Sequence, residues 1–261
     1  TAAGSTGPLP AYGDDEVTRR LDARFAEVFE REVDVVLVTT GTAANALSVA
    51  AFSPPWGQLL IHEEGHLAVD ECGAPEFFAG TRTIGLLGRF GKLDAADLAA
   101  RLATWPIGVH HGKPAVLSIS QANESGRIYS VAEVTALAEI AHAHGLALHM
   151  DGARLANAVS RLGCSLAEIT WKAGVDVLSF GATKGGCAMA EAVVSFVPGK
   201  REELAFRRKR AGHLISKHRF VASQFEAWLD GGHWLDLAAH ANAMADRLAA
   251  GIRSAREARL A

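Results

Sequence analysis

Leu146-Ala147-Leu148-His149-Met150-Asp151-Gly152-Ala153-Arg154 reads as a buried strand that ends on an acid. The apolar run is short enough for a strand, and Gly152 breaks it where a turn must follow. Upstream, Ala115-Val116-Leu117-Ser118-Ile119-Ser120 is a second strand, separated from the first by a polar loop around Asn123 to Tyr129 and a helix. Ser130 and Glu133 have the spacing of a capping box at the start of that helix, and Gly145 stops it. Downstream, Ser165 and Glu168 repeat the capping box before the strand Val175-Asp176-Val177-Leu178-Ser179-Phe180, which runs out at Thr183-Lys184. Toward the N-terminus, Val33-Asp34-Val35-Val36-Leu37-Val38 is a β-branched strand. It feeds Thr39-Thr40-Gly41-Thr42 and a small-residue helix from Ala43 to Phe52, which Pro54-Pro55 closes. A helix over about residues 15–31 precedes it, with Val17, Leu21, Phe25, Val28 and Phe29 on one face. Ala188 to Val197 is a further strand, and the chain from about Gly199 onward is helical in pattern. Strands alternating with helices predict an α/β chain, a three-layer αβα sandwich around a mostly parallel sheet.

The composition suits a globular protein of 261 residues, 49% hydrophobic and 21% charged. A net charge of −3 with scattered basic residues argues against a nucleic-acid surface. No apolar run approaches the roughly 18 residues of a membrane span, so no membrane partner is expected. Thr1-Ala2-Ala3-Gly4-Ser5 has neither an initiator Met nor the features of a signal peptide, and reads as the edge of a larger chain. Cys72, Cys164 and Cys187 are odd in number and far apart, which predicts free thiols and a cytoplasmic location. His110-His111 and the pair His142 and His144 lack a matching ligand cluster, so no metal site is expected.

Ligands of open α/β sheets sit at the carboxyl ends of the strands. Three chemically distinct groups fall there. Gly41 and Thr42 stand where a helix begins, as an N-cap and tight turn or as donors to a phosphate. Asp151 either caps a helix or pairs with a protonated pyridine nitrogen. Lys184, between small residues just past a buried strand, lacks the exposed face that lysines usually occupy, and Gly185-Gly186 leave room for a bulky group. A lysine that forms a Schiff base and an aspartate on a pyridinium are the protein partners of pyridoxal phosphate. With Gly41 and Thr42 for the phosphate, the three in this order predict pyridoxal 5'-phosphate as cofactor.

Several segments then carry a family resemblance: Tyr12-Gly13-Asp14-Asp15, Thr40-Gly41-Thr42-Ala43-Ala44-Asn45, His66 with Asp70-Glu71-Cys72-Gly73-Ala74, His149-Met150-Asp151-Gly152-Ala153-Arg154 and the Lys184 segment. Together they resemble the threonine aldolases of the β-eliminating lyase group, on the aspartate-aminotransferase-like fold (fold type I). The resemblance spans roughly residues 10–220. The Asp70 to Phe78 and Trp171 to Lys184 stretches are closest to the low-specificity and phenylserine aldolase branch. The resemblance implies pyridoxal-phosphate-dependent cleavage of β-hydroxy-α-amino acids of the L-threonine, L-allo-threonine or L-phenylserine type to glycine and an aldehyde. It also implies a homodimer or homotetramer with shared active sites.

By the same resemblance, His66 stacks on the cofactor ring and moves a proton at the substrate hydroxyl. The residues alone favour a surface histidine beside Glu63 and Glu64. Arg154 binds the amino-acid carboxylate beside the cofactor, where its guanidinium fork suits bidentate contact; the alternative is a residue on a helix surface. Lys217 and Arg219 contact the phosphate, although a solvated basic helix face accounts for them as well. Tyr12 reaches the site of a partner subunit. Asn123 stands where many relatives have a histidine, so it can hydrogen-bond a substrate hydroxyl but cannot act as a base.

The expected organisation is an N-terminal segment over residues 1–14, a cofactor-binding large domain over 15–230, and a helix over 231–261 leading to a small domain that is missing or truncated. The same cradle would serve another pyridoxal-phosphate lyase, a racemase or an aminotransferase, or a truncated, inactive cofactor-binding protomer.

Overall fold

A computed structural model of the chain describes residues 8–255. The reading of Thr1 to Ser5 and the expected end of the last helix near Leu260 lie outside the described residues. Helix α1 (Glu16–Val28) starts where the Asp15 carboxylate accepts the Thr18 amide, and it turns Leu21 and Phe25 inward. Strand β1 (Asp34–Val38) then leads into α2 (Gly41–Phe52), capped by the Thr40 hydroxyl. Next come β2 (Gly57–His62), α3 (His66–Val69), α4 (Ala74–Ala79), β3 (Arg82–Leu86) and α5 (Ala95–Ala103). The central unit runs β4 (Lys113–Ser120), α6 (Val131–Ala143), β5 (Ala147–Gly152), α7 (Leu155–Leu162), α8 (Leu166–Ile169) and β6 (Val177–Gly181). The chain closes with β7 (Glu191–Ser195), α9 (Arg201–Arg210), α10 (Arg219–Leu229) and α11 (His233–Ser254). Both expected capping boxes form, Ser130 with Glu133 on α6 and Ser165 with Glu168 on α8.

The strands make one sheet in the order β1-β7-β6-β5-β4-β2-β3. All pairings are parallel except those of β7, which runs against both β1 and β6. Side chains alternate between faces as strand geometry requires. Val35 and Leu37 join the core under α1, while Val36 and Val38 pack with Ala43, Ala44 and Leu47 of α2. The three-layer αβα architecture read from the sequence is therefore present, with β2 and β3 added to the strands anticipated.

Helix α11 does not simply lead away from the domain. Trp234 and Ala238 are buried in the main core, and Asn242 exchanges hydrogen bonds with Asn157 of α7 at 3.0 and 3.1 Å. The first turns of α11 are thus packed on the large domain. No helix among the described residues is long and apolar enough to cross a membrane.

Candidate active site

The parallel strands bring their carboxyl ends to one edge of the sheet, and the reversed strand β7 begins there. Asp151 stands at that edge and is buried. Its Oδ1 accepts the Ala153 amide at 3.0 Å, and its Oδ2 accepts Asn45 Nδ2 of α2, also at 3.0 Å. The same Asn45 nitrogen donates to Glu71 Oε1 at 2.7 Å, and Glu71 Oε1 also meets His66 Nδ1 at 3.0 Å. A hydrogen-bonded chain therefore runs Asp151–Asn45–Glu71–His66, from deep in the fold to a ring that is one-third exposed. Burial raises the Glu71 carboxyl above its ordinary value; hydrogen bonds from Asn45 and His66 oppose this, and the Asp151 charge adds to it. His66 thus pairs with Glu71, not with Glu63 or Glu64, and its backbone amide is held by Glu124 at 2.9 Å.

Beneath Asp151, His149 is fully enclosed between the Ser118 and Ser179 hydroxyls, at 2.8 and 2.9 Å. Burial pushes this imidazole down to about 4, with the Asp151 charge opposing, so it is neutral at pH 7. One of its nitrogens donates and the other accepts.

Gly41 and Thr42 open α2. The Thr40 side chain takes the Ala43 amide and its carbonyl takes the Ala44 amide. The Gly41 and Thr42 amides have no acceptor among the described residues, and a Cβ on Gly41 would meet nothing within 4 Å. Free donors at a helix N-terminus beside open space suit an anion.

Lys184 lies in a 3-10 turn, Thr183–Gly185, just past β6. It is exposed, contrary to the expectation of a covered lysine, because the turn lifts it off the sheet edge into open space. There it lines a cleft of about 810 Å³ with Arg154, Asn157, Phe90 and Arg127. Arg154 is exposed at the start of α7 and makes no ion pair among the described residues, so its guanidinium fork is available to a carboxylate.

Other sequence candidates are placed differently. Asn123 is buried, and its side chain is committed to its own loop. Its Nδ2 donates to Phe90 O at 2.8 Å, while its Oδ1 accepts the Ser125 and Arg127 amides. A substrate contact of Asn123 would come through its second amide hydrogen, because its oxygen already serves two local donors. Lys217 is exposed and reaches only Ser216 Oγ, at 3.4 Å. Arg219 lies half-buried over the Phe220 ring. Neither touches Gly41 or Thr42 in this chain; the residue of that segment that approaches the cradle is His213, 3.0 Å from Thr39 Oγ1. Tyr12 is half-exposed, and its amide donates to Ser216 O. Glu71, Asn45 and His149 stand in the sequence only as parts of motifs, since burial and pairing are invisible in spacing.

These residues fit pyridoxal phosphate. Asp151 is a buried carboxylate without a Lys or Arg partner among the described residues, and a protonated ring nitrogen would answer its charge. Ligand atoms of His66, Glu71 and Asp151 all lie within 4.8 Å of one another. The Asn45 amide already bridges the two carboxylates, so the cluster is held together by a hydrogen-bond donor.

Comparison with known proteins agrees with this geometry. Residues 6–261 match the family model described as beta-eliminating lyase. A low specificity L-threonine aldolase from Pseudomonas sp. is 42% identical over 239 residues, 91% of this chain and 69% of that protein. A threonine aldolase structure from Leishmania major superposes with a TM-score of 0.88 at 29% identity, covering 97% of this chain and 74% of that one. An aspartate aminotransferase from Rhodobacter sphaeroides, 19% identical, shares the fold with a TM-score of 0.72 over 99% of this chain and 68% of its own. An acid at the end of β5, a lysine past β6 and a helix N-terminus beside them thus sit on the aspartate-aminotransferase-like fold, and the chain belongs to the β-eliminating lyase family.

Proposed function

We propose that the chain is a pyridoxal-phosphate-dependent aldolase that cleaves β-hydroxy-α-amino acids to glycine and an aldehyde. The observation that carries this reading is the Asp151–Asn45–Glu71–His66 chain, which couples an anchor for a ring nitrogen to a histidine at the mouth of the site. When bound, pyridoxal phosphate supplies an aldehyde for amine condensation and a protonated ring that accepts the electron pair released as Cα–Cβ breaks. Asp151 holds the ring nitrogen and keeps it protonated. The Gly41 and Thr42 amides hold the phosphate, and Lys184 supplies the amine. Arg154 fixes the substrate carboxylate by a bidentate contact.

His66 does the proton work. With Nδ1 donating to Glu71, the lone pair of Nε2 is free to take the β-hydroxyl proton. Loss of that proton lets the hydroxyl carbon become the aldehyde. Lys217 and Tyr12 are exposed on segments joined by the Tyr12–Ser216 hydrogen bond, so the phosphate or substrate contacts proposed for them are made to a second copy. A homodimer or homotetramer in the cytoplasm completes the reading.

The test is an absorbance spectrum of the protein with pyridoxal phosphate, before and after adding L-threo-phenylserine. A near-visible band that Lys184→Ala removes, with benzaldehyde and glycine formed on substrate addition, is the expected result. A keto acid in place of the aldehyde would move the reaction to another class, and no band at all would overturn the cofactor assignment.

A further inference from the structure

Phe90 stands where neither turn chemistry nor packing would put a phenylalanine. Arg89 and Lys92 pair across a tight hairpin, exchanging backbone hydrogen bonds at 3.1 and 3.2 Å, so Phe90 and Gly91 are its two central residues. Both have positive φ, 57° and 72°, the left-handed pattern of hairpin turns that favour Asn, Asp or Gly. A Cβ and a bulky ring make that conformation costly at Phe90. Packing does not offset the cost, since the side chain is 56% exposed and belongs to none of the core clusters. A strained position retained without a gain in packing is the mark of a functional constraint.

The hairpin is fastened on both sides to the loop after β4. Asn123 Nδ2 donates to Phe90 O at 2.8 Å, and Asn123 is itself held by the Ser125 and Arg127 amides. Beyond the turn, Lys92 Nζ donates to Ile128 O at 3.0 Å and the Leu93 amide donates to the Tyr129 hydroxyl at 2.7 Å. A Cβ on Gly91 would come within 2.7 Å of Asn123 Nδ2, so the glycine lets the turn close on its anchor. Two guanidinium groups approach the ring, Arg127 at 4.9 Å and Arg89 at 5.7 Å from its centroid, both within reach of a cation–π attraction. Backbone and ring are thus fixed before any ligand arrives.

The ring lines the cleft of about 810 Å³ that also holds Lys184 and Arg154. On the aldolase reading those two residues engage the amino and carboxylate ends of the substrate. The substituent on Cβ is left to meet another wall of the same cleft. Much of that wall is polar, with Lys92, Arg127, Asn157 and Arg161 on it, and Phe90 is its one aromatic ring among the described residues. Such a ring offers an apolar face and edge to which a second ring packs in offset or edge-on geometry.

We propose that Phe90 is a specificity-determining residue, whose fixed ring receives the β-substituent of the substrate and selects an aromatic one. The proposal rests on the aldolase reading and names the substrate class within it, the L-phenylserine type over the L-threonine type. Phe90→Asn suits the turn and removes the ring; Phe90→Tyr keeps the ring. Steady-state kinetics of the cofactor-loaded full chain with L-threo-phenylserine and L-threonine read the selectivity, and thermal unfolding reads the fold. Phe90→Asn is expected to unfold no earlier than wild type, yet to lower kcat/KM for phenylserine about tenfold more than for threonine. Phe90→Tyr should keep the wild-type ratio to within about twofold. Calorimetric titration with L-phenylalanine and L-alanine reads the same preference without turnover. Wild type should bind phenylalanine the tighter, and Phe90→Asn should lose about tenfold of that difference. If Phe90→Asn does not fold, Phe90→Gly, which also suits the turn, takes its place. An unchanged ratio in the variant without a ring, or an equal loss on both substrates, would overturn the proposal. A wild type that releases no aldehyde sinks the aldolase reading. The titration then decides on Phe90 alone, and phenylalanine bound no tighter than alanine overturns it.

Discussion

Against α1 and α10 the sheet packs an aromatic cluster, whereas against α2 it packs alanines, serines and buried polar side chains. On the first face Phe25, Phe29, Phe180, Phe225 and Trp228 lie with neighbouring ring centroids between 5.4 and 6.2 Å apart. Such rings bury much apolar area and need no partner for a polar atom. On the second face Asn45, Ser48, His149, Asp151 and Ser179 are all buried, and Asn45 Oδ1 and Glu71 Oε2 have no hydrogen-bond partner among the described residues. Unpaired polar atoms of this kind cost stability. One face stabilises the fold, and that surplus carries the strain of the other, where the chemistry is.

Separating the two contributions is a matter of cutting one face and reading both outcomes. Phe25→Ala should lower unfolding stability by about 3–5 kcal/mol while leaving kcat per folded molecule unchanged. Urea unfolding with activity normalised to the folded fraction checks this, and a parallel fall in kcat would break the division. Next in size is an acid effect on the polar face. His149 is held neutral with its value pushed down to about 4, so its contribution is complete above about pH 6.5 and disappears as pH falls through 4. The loss is on the order of 3 kcal/mol, read as the difference between the stability–pH curves of wild type and His149→Gln. Identical curves would show that the imidazole can charge without penalty.

Asp151→Asn should reverse the pattern of Phe25→Ala. It removes a buried charge near Glu71 and Glu191, so stability holds or rises while kcat/KM falls about a hundredfold, about 2.7 kcal/mol at the barrier. Steady-state kinetics beside thermal unfolding checks both halves. Ser48→Ala is the smallest change, within about 0.5 kcal/mol in either direction, since its contact with Ser179 is a marginal 3.4 Å. A loss above about 1 kcal/mol would mean that the serine supports the His149 pair more directly than its distance implies.

Much of this division was legible before any coordinates. The apolar runs gave β1, β4, β5, β6 and β7, and the Ser–Glu spacings gave two helix starts. Strands β2 and β3 were not legible. Gly57-Gln58 opens the first with turn-like residues, and Arg82-Thr83-Ile84-Gly85-Leu86 is a partly exposed edge strand with a glycine inside it. Asp151 and Lys184 could be read because the chemistry needs those residue types at strand ends. Glu71 could not, since it matters through what surrounds it, Asn45 and His66. For Asn123 the place in sequence does not reveal that the side-chain oxygen is already engaged by two amides of its own loop.

The reversed strand β7 also sets an order of events during synthesis. Strand β1, made early, sits at the edge of the sheet and pairs with β7 alone. While residues 39–190 emerge from the ribosome it has no strand to join. The hairpin formed by β6 and β7 carries Lys184 at its tip. Its arrival therefore docks β1 and brings the lysine to the sheet edge in the same step.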